Sequence, residues 1–139
     1  MFLMASSSHS VKALSKVYFK RLLRTCLDRL HLFVMKFLRT HCERRGIEVN
    51  REKPMHSMMG EYVKSLRSAG LIESDMTDRI LRSSISVLEA FNDVRNNKSL
   101  AHDNPILNDS EAWLIFSHVG ASIRFIREVE RRASAGGTR

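Results

Sequence analysis

One short segment of the sequence brings together an arginine, an asparagine and a histidine that could act on a phosphodiester. Arg95 and Asn96 are adjacent, and His102 follows after five intervening residues. Histidine can accept or release a proton near neutral pH. The guanidinium of arginine binds phosphate oxygens and stabilises negative charge in a transition state, and an asparagine can orient a hydroxyl or a phosphate oxygen. These groups suffice for RNA cleavage, in which a base takes the 2′-hydroxyl proton while a cation holds the phosphate.

The same residues also have a plainer interpretation, which stays open at this point. Arg95 would cap the C-terminal end of its helix, and His102 would form a hydrogen bond with a loop carbonyl. The sequence contains no cluster of carboxylates of the kind that binds catalytic metals. We therefore expect any reaction at this segment to be metal-independent and to need no cofactor.

The segment lies between two helices that apolar periodicity predicts. In the first of these, the apolar residues recur at helical steps; they are Ile80, Leu81, Ile85, Leu88 and Phe91. Since Arg95 follows Phe91 by four residues, we expect it on the core-facing side of that helix. Ser74 or Thr77 is expected to cap the start of this helix, and Asn108 or Asp109 to cap the next one.

Two further helices precede them. The first is predicted from about Ser10 to about Arg45, with Gly46 as its end. Its inward face would carry Phe19, Leu23, Leu27, Leu30, Val34, Phe37 and Leu38. The second begins at Pro54 and ends at Gly70. Its inward face would carry Met55, Met58, Met59, Tyr62, Val63 and Leu66.

The helix that follows the motif is the fourth in the chain. Its predicted inward face carries Ala112, Ile115, Phe116, Val119, Ile123 and Ile126.

Together these patterns predict an all-α protein, an antiparallel up-and-down bundle of four main helices. Residues 1–9 are expected to form a disordered leader, 10–133 a single helical domain and 134–139 a flexible tail.

The positive charge of the chain is concentrated in its first helix. The formal net charge is +8, and residues 10–45 alone hold ten Lys or Arg against two Asp or Glu. We take Arg21, Arg24 and Arg39 of this helix, together with Lys98 of the candidate segment, as candidate nucleic-acid-binding residues. A solvated charged face would produce the same pattern, and the composition alone does not separate the two.

The cysteines and the hydropathy indicate the compartment. Cys26 and Cys42 are sixteen residues apart in one predicted helix, too far along its axis for a disulfide. They are expected to be free buried thiols in a reducing compartment.

We expect no metal site, because His41 and Cys42 are neighbours on a helix and point in different directions. No segment has the length and apolarity of a membrane span, so we expect a cytoplasmic protein with no membrane partner.

The segment around Arg95-Asn96 and His102 resembles the HEPN superfamily, whose motif is an arginine, a polar residue and a histidine after a short spacer. More narrowly, residues 91–104 look like the C-terminal domain of bacterial abortive-infection proteins, and the resemblance extends from about Met55 to Ile126. It implies a helical bundle that dimerises, so that two motifs form one composite cleft. It also implies a metal-independent endoribonuclease, of toxin or anti-phage type, that leaves a 2′,3′-cyclic phosphate. Arg95 would contact the phosphate, Asn96 would position it and His102 would be the acid or base.

The resemblance leaves a second function open. Many members of that superfamily are non-catalytic and serve in dimerisation or in binding nucleic acid or a partner. The expected partners are therefore RNA, a second copy of the chain, and an antitoxin or another component of a defence system. Related toxins that are controlled by adenylylation carry a tyrosine two residues after the histidine. That position is Asn104 here, so we do not expect this form of control.

Overall fold

A computed structural model gives four α-helices and, over residues 2–96 and 109–136 that it describes, no β-strand. Within these ranges, the side chains of residues 2–7, 20, 23, 91–96 and 109 are not described. The helices are α1 (Phe2–Arg44), α2 (Met55–Ser68), α3 (Asp75–Asn96) and α4 (Asp109–Gly136). The prediction of an all-α bundle of four main helices is confirmed.

Local sequence explains most of the helix ends. Gly46 and Gly70, which follow α1 and α2, have φ angles of 73° and 71°, a left-handed conformation that favours glycine. Pro54 directly precedes α2 in an extended conformation. The Ser74 hydroxyl oxygen accepts hydrogen bonds from the backbone N–H of Met76 at 3.1 Å and of Thr77 at 3.4 Å. Of the two predicted caps of α3, the structure therefore uses Ser74.

The start of α1 differs from the prediction. The helix begins at Phe2, so the N-cap expected at Ser10 is wrong and residues 2–9 belong to α1. This stretch contains no Pro or Gly, and extending an existing helix costs far less than nucleating a new one. At 43 residues, α1 is about 64 Å long. Its first half therefore projects beyond the shorter helices.

Paired side chains show how the helices are arranged. An ion pair between Arg67 and Asp75 joins the end of α2 to the start of α3. Near the opposite ends of these helices, His56 Nδ1 lies 2.8 Å from Glu89 Oε1, so α2 and α3 are antiparallel. The hydroxyls of Ser84 on α3 and Ser122 on α4 form a buried hydrogen bond of 2.5 Å. The fourth helix also packs against α1, which closes the bundle.

The core matches the predicted faces of α2 and α4 closely. All six predicted side chains of α2 are buried. On α4, Ala112, Val119, Ile123 and Ile126 are buried, and Ile115 and Phe116 are half-buried. None of the described helices is long and apolar enough to cross a membrane.

Two predicted core residues are exposed. Ile80 is 47% exposed because the inward face of α3 is formed by Leu81, Ser84, Ile85 and Leu88, and Ile80 lies to one side of it. The buried Ser84 takes the place that an apolar pattern would give to a hydrophobic residue. Phe19 is 40% exposed because it lies in the projecting half of α1, where no other helix covers it.

Alanine substitution at two neighbouring positions tests this assignment of the α3 face. Leu81→Ala should lower the free energy of unfolding by about 2–5 kcal/mol, since it leaves a cavity between α2 and α3. Ile80→Ala, the matched control, should change it by roughly 0.5 kcal/mol or less. Urea denaturation followed by circular dichroism measures both. Equal losses at the two positions would contradict this assignment.

Candidate functional site

The candidate motif is divided between described and undescribed residues. Arg95 and Asn96 are the last two residues of α3, where the backbone alone is described. His102 and Lys98 lie outside the described residues. The prediction that Arg95 lies on the core-facing side of α3 concerns a side chain that is not described. The roles of Arg95, Asn96 and His102 as site residues therefore stay predictions.

Described residues surround this end of the bundle. The C-terminal end of α3 lies beside the start of α2, because Glu89 binds His56 there. Glu89 Oε1 accepts a hydrogen bond of 2.8 Å from the backbone N–H of His56, and it lies 2.8 Å from the Nδ1 atom of the same residue. Glu89 precedes Arg95 by six residues, about 9 Å along the helix axis. Thus the last turns of α3 are held against α2 immediately before the motif begins.

An acidic cleft opens beside the connection between α1 and α2. It has a volume of about 420 Å³ and is lined by Glu48, Asn50, Glu52, Lys53 and Glu61. The one cation of this lining is already engaged, since Lys53 Nζ lies 2.5 Å from Glu61 Oε2 and donates to the Glu48 carbonyl at 2.7 Å. Three carboxylates repel a phosphate backbone. We therefore do not place an RNA path through this cleft.

The candidate binding residues of α1 do not form one patch. Arg21 and Arg24 are exposed in the projecting half of the helix. Arg39 is half-buried where the bundle surrounds α1, and its Nε has no hydrogen-bond partner among the described residues. From Arg24 to Arg44, at the end of α1, is about 30 Å. Because α1 and α3 run in the same direction, Arg21 and Arg24 are far from the end of the bundle that carries Arg95.

The sequence interpretation missed a polar cluster that joins α1, α2 and α4. This Glu130 cluster consists of His41, Arg45, Tyr62 and Glu130. Glu130 Oε1 accepts a hydrogen bond of 2.9 Å from Arg45 Nε and another from the Tyr62 hydroxyl, and it lies 3.9 Å from His41 Nδ1. The Arg45 guanidinium also lies over the Tyr62 ring, 5.6 Å from its centroid. One carboxylate thus connects side chains from two other helices.

Burial sets the charge states in the Glu130 cluster. Burial lowers the pKa of His41, and this outweighs the opposing effect of the Glu130 carboxylate. Burial raises the pKa of Glu130, but the hydrogen bonds from Arg45 and Tyr62 reverse that effect and leave the pKa below its ordinary value. Burial and the adjacent carboxylate both raise the pKa of Tyr62. At neutral pH the cluster therefore holds a neutral imidazole, a carboxylate, a guanidinium and an un-ionised phenol.

The Glu130 cluster stabilises the fold and does not present reactive groups to a substrate. Tyr62 is fully buried, and His41 is only 8% exposed. A four-residue spacing could have indicated it, since Phe33, Phe37 and His41 follow one another on α1 and Arg45 comes four residues later, directly after the helix. The Phe37 and His41 rings are in contact, with centroids 4.3 Å apart.

The two cysteines are free, as predicted. Cys42 is buried and its Sγ lies 3.6 Å from the Met58 carbonyl oxygen. Burial raises the pKa of the Cys42 thiol to about 11, which makes it a poor nucleophile at neutral pH. Cys26 is half-buried.

Comparison with protein families identifies one match that covers most of the chain. A family model, Abi_C, described as a HEPN-like domain, matches residues 9–130. The match is longer than the resemblance seen in the sequence, because it also includes most of α1. Comparisons with curated proteins and with solved structures give no significant match.

The charge of Glu130 can be tested through the pH dependence of stability. Glu130→Gln keeps the side-chain shape and an oxygen acceptor but removes the charge. At neutral pH it should lower the free energy of unfolding by about 1–3 kcal/mol. The extra stability of the wild type over Glu130→Gln is fully present above the pKa of the unfolded-state glutamate, roughly 4.3. It should be lost as the pH falls through the lower pKa of Glu130 in the folded state.

Urea denaturation of both proteins across this pH range measures the effect. Glu43→Gln is the matched control, because Glu43 is exposed on the same turn of α1 as His41. Its stability curve should run parallel to that of the wild type. A Glu130→Gln curve that also stays parallel in acid would show that the carboxylate is not stabilised in the folded state.

Proposed function

Because this chain belongs to the HEPN-like domain family, we propose that it is a metal-independent endoribonuclease that acts as a homodimer, of toxin or abortive-infection type. One observation carries the proposal. Arg95 and Asn96 are the last two residues of α3, and His102 follows them in the sequence after five intervening residues. The family match, over residues 9–130, includes all three.

The proposed reaction needs only proton transfer and charge stabilisation. One His102 imidazole takes the proton of the RNA 2′-hydroxyl, the 2′-oxygen attacks phosphorus, and the bond from phosphorus to the 5′-oxygen breaks. The 5′-oxygen takes a proton, and the products are a 2′,3′-cyclic phosphate and a 5′-hydroxyl. Arg95 binds the phosphate oxygens and stabilises their developing charge. In a dimer, the second His102 can act as the acid.

Two features of the described residues support this proposal. The turn of α3 that precedes the motif is packed against the bundle, since Leu88 is buried and Glu89 is hydrogen-bonded to His56 of α2. Rigid elements hold reacting groups in position better than loops do. Near the start of α4, on the other side of the connecting segment, Trp113 and Leu114 are 73% and 69% exposed. Large exposed apolar side chains are typical of protein interfaces, and these two would suit a dimer contact close to the motif.

Substitution of the motif residues tests the ribonuclease proposal. His102→Ala should reduce cleavage of a labelled RNA in EDTA by about 10²–10⁴-fold, because a proton-transfer group is lost. Arg95→Ala should reduce it by about 10²–10³-fold, because charge on the phosphate is no longer stabilised. The cleavage rate and the end groups of the product are measured.

Two variants outside the motif serve as matched controls. Arg79→Ala removes an exposed arginine from the same helix, and His118→Asn removes a half-buried histidine from α4. Both should cleave RNA at the wild-type rate. If cleavage survives both His102→Ala and Arg95→Ala, the motif does not catalyse it and the proposal is wrong.

The alternative function is a non-catalytic module that binds nucleic acid or a partner protein. The separation of about 30 Å between Arg24 and the end of α1 favours it, since Arg21 and Arg24 then act independently of the motif. In this alternative, the partner is RNA or a second component of a defence system, and Arg21, Arg24 and Arg39 provide the contacts.

Charge reversal on α1 distinguishes the two functions. Under the alternative, Arg21→Glu with Arg24→Glu should weaken RNA binding by about tenfold or more and reduce its salt dependence, whereas His102→Ala should leave binding unchanged. Arg131→Glu with Arg132→Glu provides a matched pair of exposed arginines on α4 and should have little effect. Fluorescence anisotropy at several salt concentrations measures each affinity. Binding that is insensitive to the α1 reversal would count against the alternative.

A further inference from the structure

The projecting half of α1 has a surface that the bundle does not use. We call residues 8–25 the amphipathic segment. Every described side chain in this segment is exposed. Among them are six large apolar residues, which are Val11, Leu14, Val17, Tyr18, Phe19 and Leu22. Tyr18 and Leu14 are 73% and 68% exposed. Burying this much apolar surface would be favourable, so the segment has the composition of a docking surface.

The apolar and basic residues occupy different sides of the helix. With a turn of about 100° per residue, Val11, Leu14, Tyr18, Phe19 and Leu22 fall within an arc of roughly 140°, and Val17 lies outside it. Lys12 borders this apolar arc on one side and Arg21 borders it on the other. Lys16 and Arg24 lie on the opposite face of the helix. The segment is therefore amphipathic, with cations along both edges of its apolar arc.

The charge of the amphipathic segment has one sign. It contains five basic residues, which are Lys12, Lys16, Lys20, Arg21 and Arg24, and no Asp or Glu. The first acidic residue after it is Asp28. An occupant must therefore combine an apolar interior with negative charge at its surface, because both properties of the segment have to be matched.

A second copy of the segment does not meet this requirement. Two such helices would bring like charges together without a carboxylate on either side. A coiled-coil seam that begins with Val11, Leu14 and Tyr18 would next require Arg21 and Thr25 at its apolar positions. The apolar arc instead continues at Leu22, so it does not follow the 3.5-residue repeat of a left-handed coiled coil. An apolar arc along one side of an otherwise uncovered helix suits a flat partner. RNA would engage the cations but leave the apolar arc in water.

We propose that the amphipathic segment of α1 binds the surface of an anionic lipid bilayer. The apolar arc would enter the boundary between headgroups and acyl chains, and Lys12 and Arg21 would lie at the level of the negatively charged headgroups. This mode of binding needs no membrane span. It departs from our initial expectation of no membrane partner, which considered only segments long enough to cross a bilayer.

Flotation of the full chain with lipid vesicles tests the proposal. The probes are phosphatidylcholine vesicles with and without phosphatidylglycerol. The chain should float with the anionic vesicles, at least about tenfold more strongly than with the neutral ones, and high salt should weaken this binding. Leu14→Glu with Leu22→Glu should reduce binding by about tenfold or more. Lys12→Glu with Lys16→Glu should reduce it as well.

Met76→Glu is the matched control, because it places the same charge on an exposed apolar residue of α3 that is 63% exposed in the wild type. This variant should bind anionic vesicles like the wild type. The proposal is overturned if the chain does not float with anionic vesicles, or if Leu14→Glu with Leu22→Glu floats unchanged. It is also overturned if Leu14→Asn with Leu22→Asn, which adds no charge beside Arg21 and Arg24, loses a lipid-free dimer or RNA binding, since the arc then serves a second copy or RNA. RNA cleavage by the same variants should equal that of the wild type. If the wild type does not cleave RNA, the ribonuclease proposal fails, but the flotation result still decides the lipid proposal.

Discussion

Burial of α2 between its two neighbours is the interaction on which the rest of the structure depends. This helix has 14 residues, and six of its side chains are buried. A helix this short is marginal by itself in water, and each fully buried apolar side chain contributes roughly 1.5–3 kcal/mol. Packing of α2 orders α1 on one side and α3 on the other. The Tyr62 hydroxyl then reaches Glu130 on α4, so the same helix also helps to hold the last element in place.

Charge is distributed unevenly over the helical bundle, and this affects where an anionic ligand such as RNA can bind. The end that carries Arg95 lies beside a cleft with three carboxylates, whereas Arg21 and Arg24 project from the other end of the bundle. An anionic ligand is attracted along the projecting helix and repelled by the acidic cleft. An RNA that passed over this cleft would meet the carboxylates of Glu48, Glu52 and Glu61.

Neighbouring residues show why sequence patterns predicted some contacts and missed others. The α2 face was predicted completely, because its apolar residues are regularly spaced and both neighbouring helices cover them. Ile80 was misassigned because a buried serine, Ser84, interrupts the apolar pattern of the same face. The Glu130 cluster could not be predicted, since Tyr62 and Glu130 are 68 residues apart in sequence. Their contact depends on how α4 crosses α1 and α2, which no local pattern encodes.

The sequence by itself determined the helical class, most helix ends, the buried face of α2, the free thiols and the family. Each of these depends on local spacing or on residue type, such as glycine after a helix or apolar steps of three and four. The tertiary structure decided which side chains beyond these faces are covered. It left the first half of α1 without a neighbour, buried His41 as a neutral imidazole, and placed Arg21 and Arg24 far from Arg95. The physical reason is that burial and electrostatic environment depend on the distances between helices, and these distances follow from packing of the whole chain.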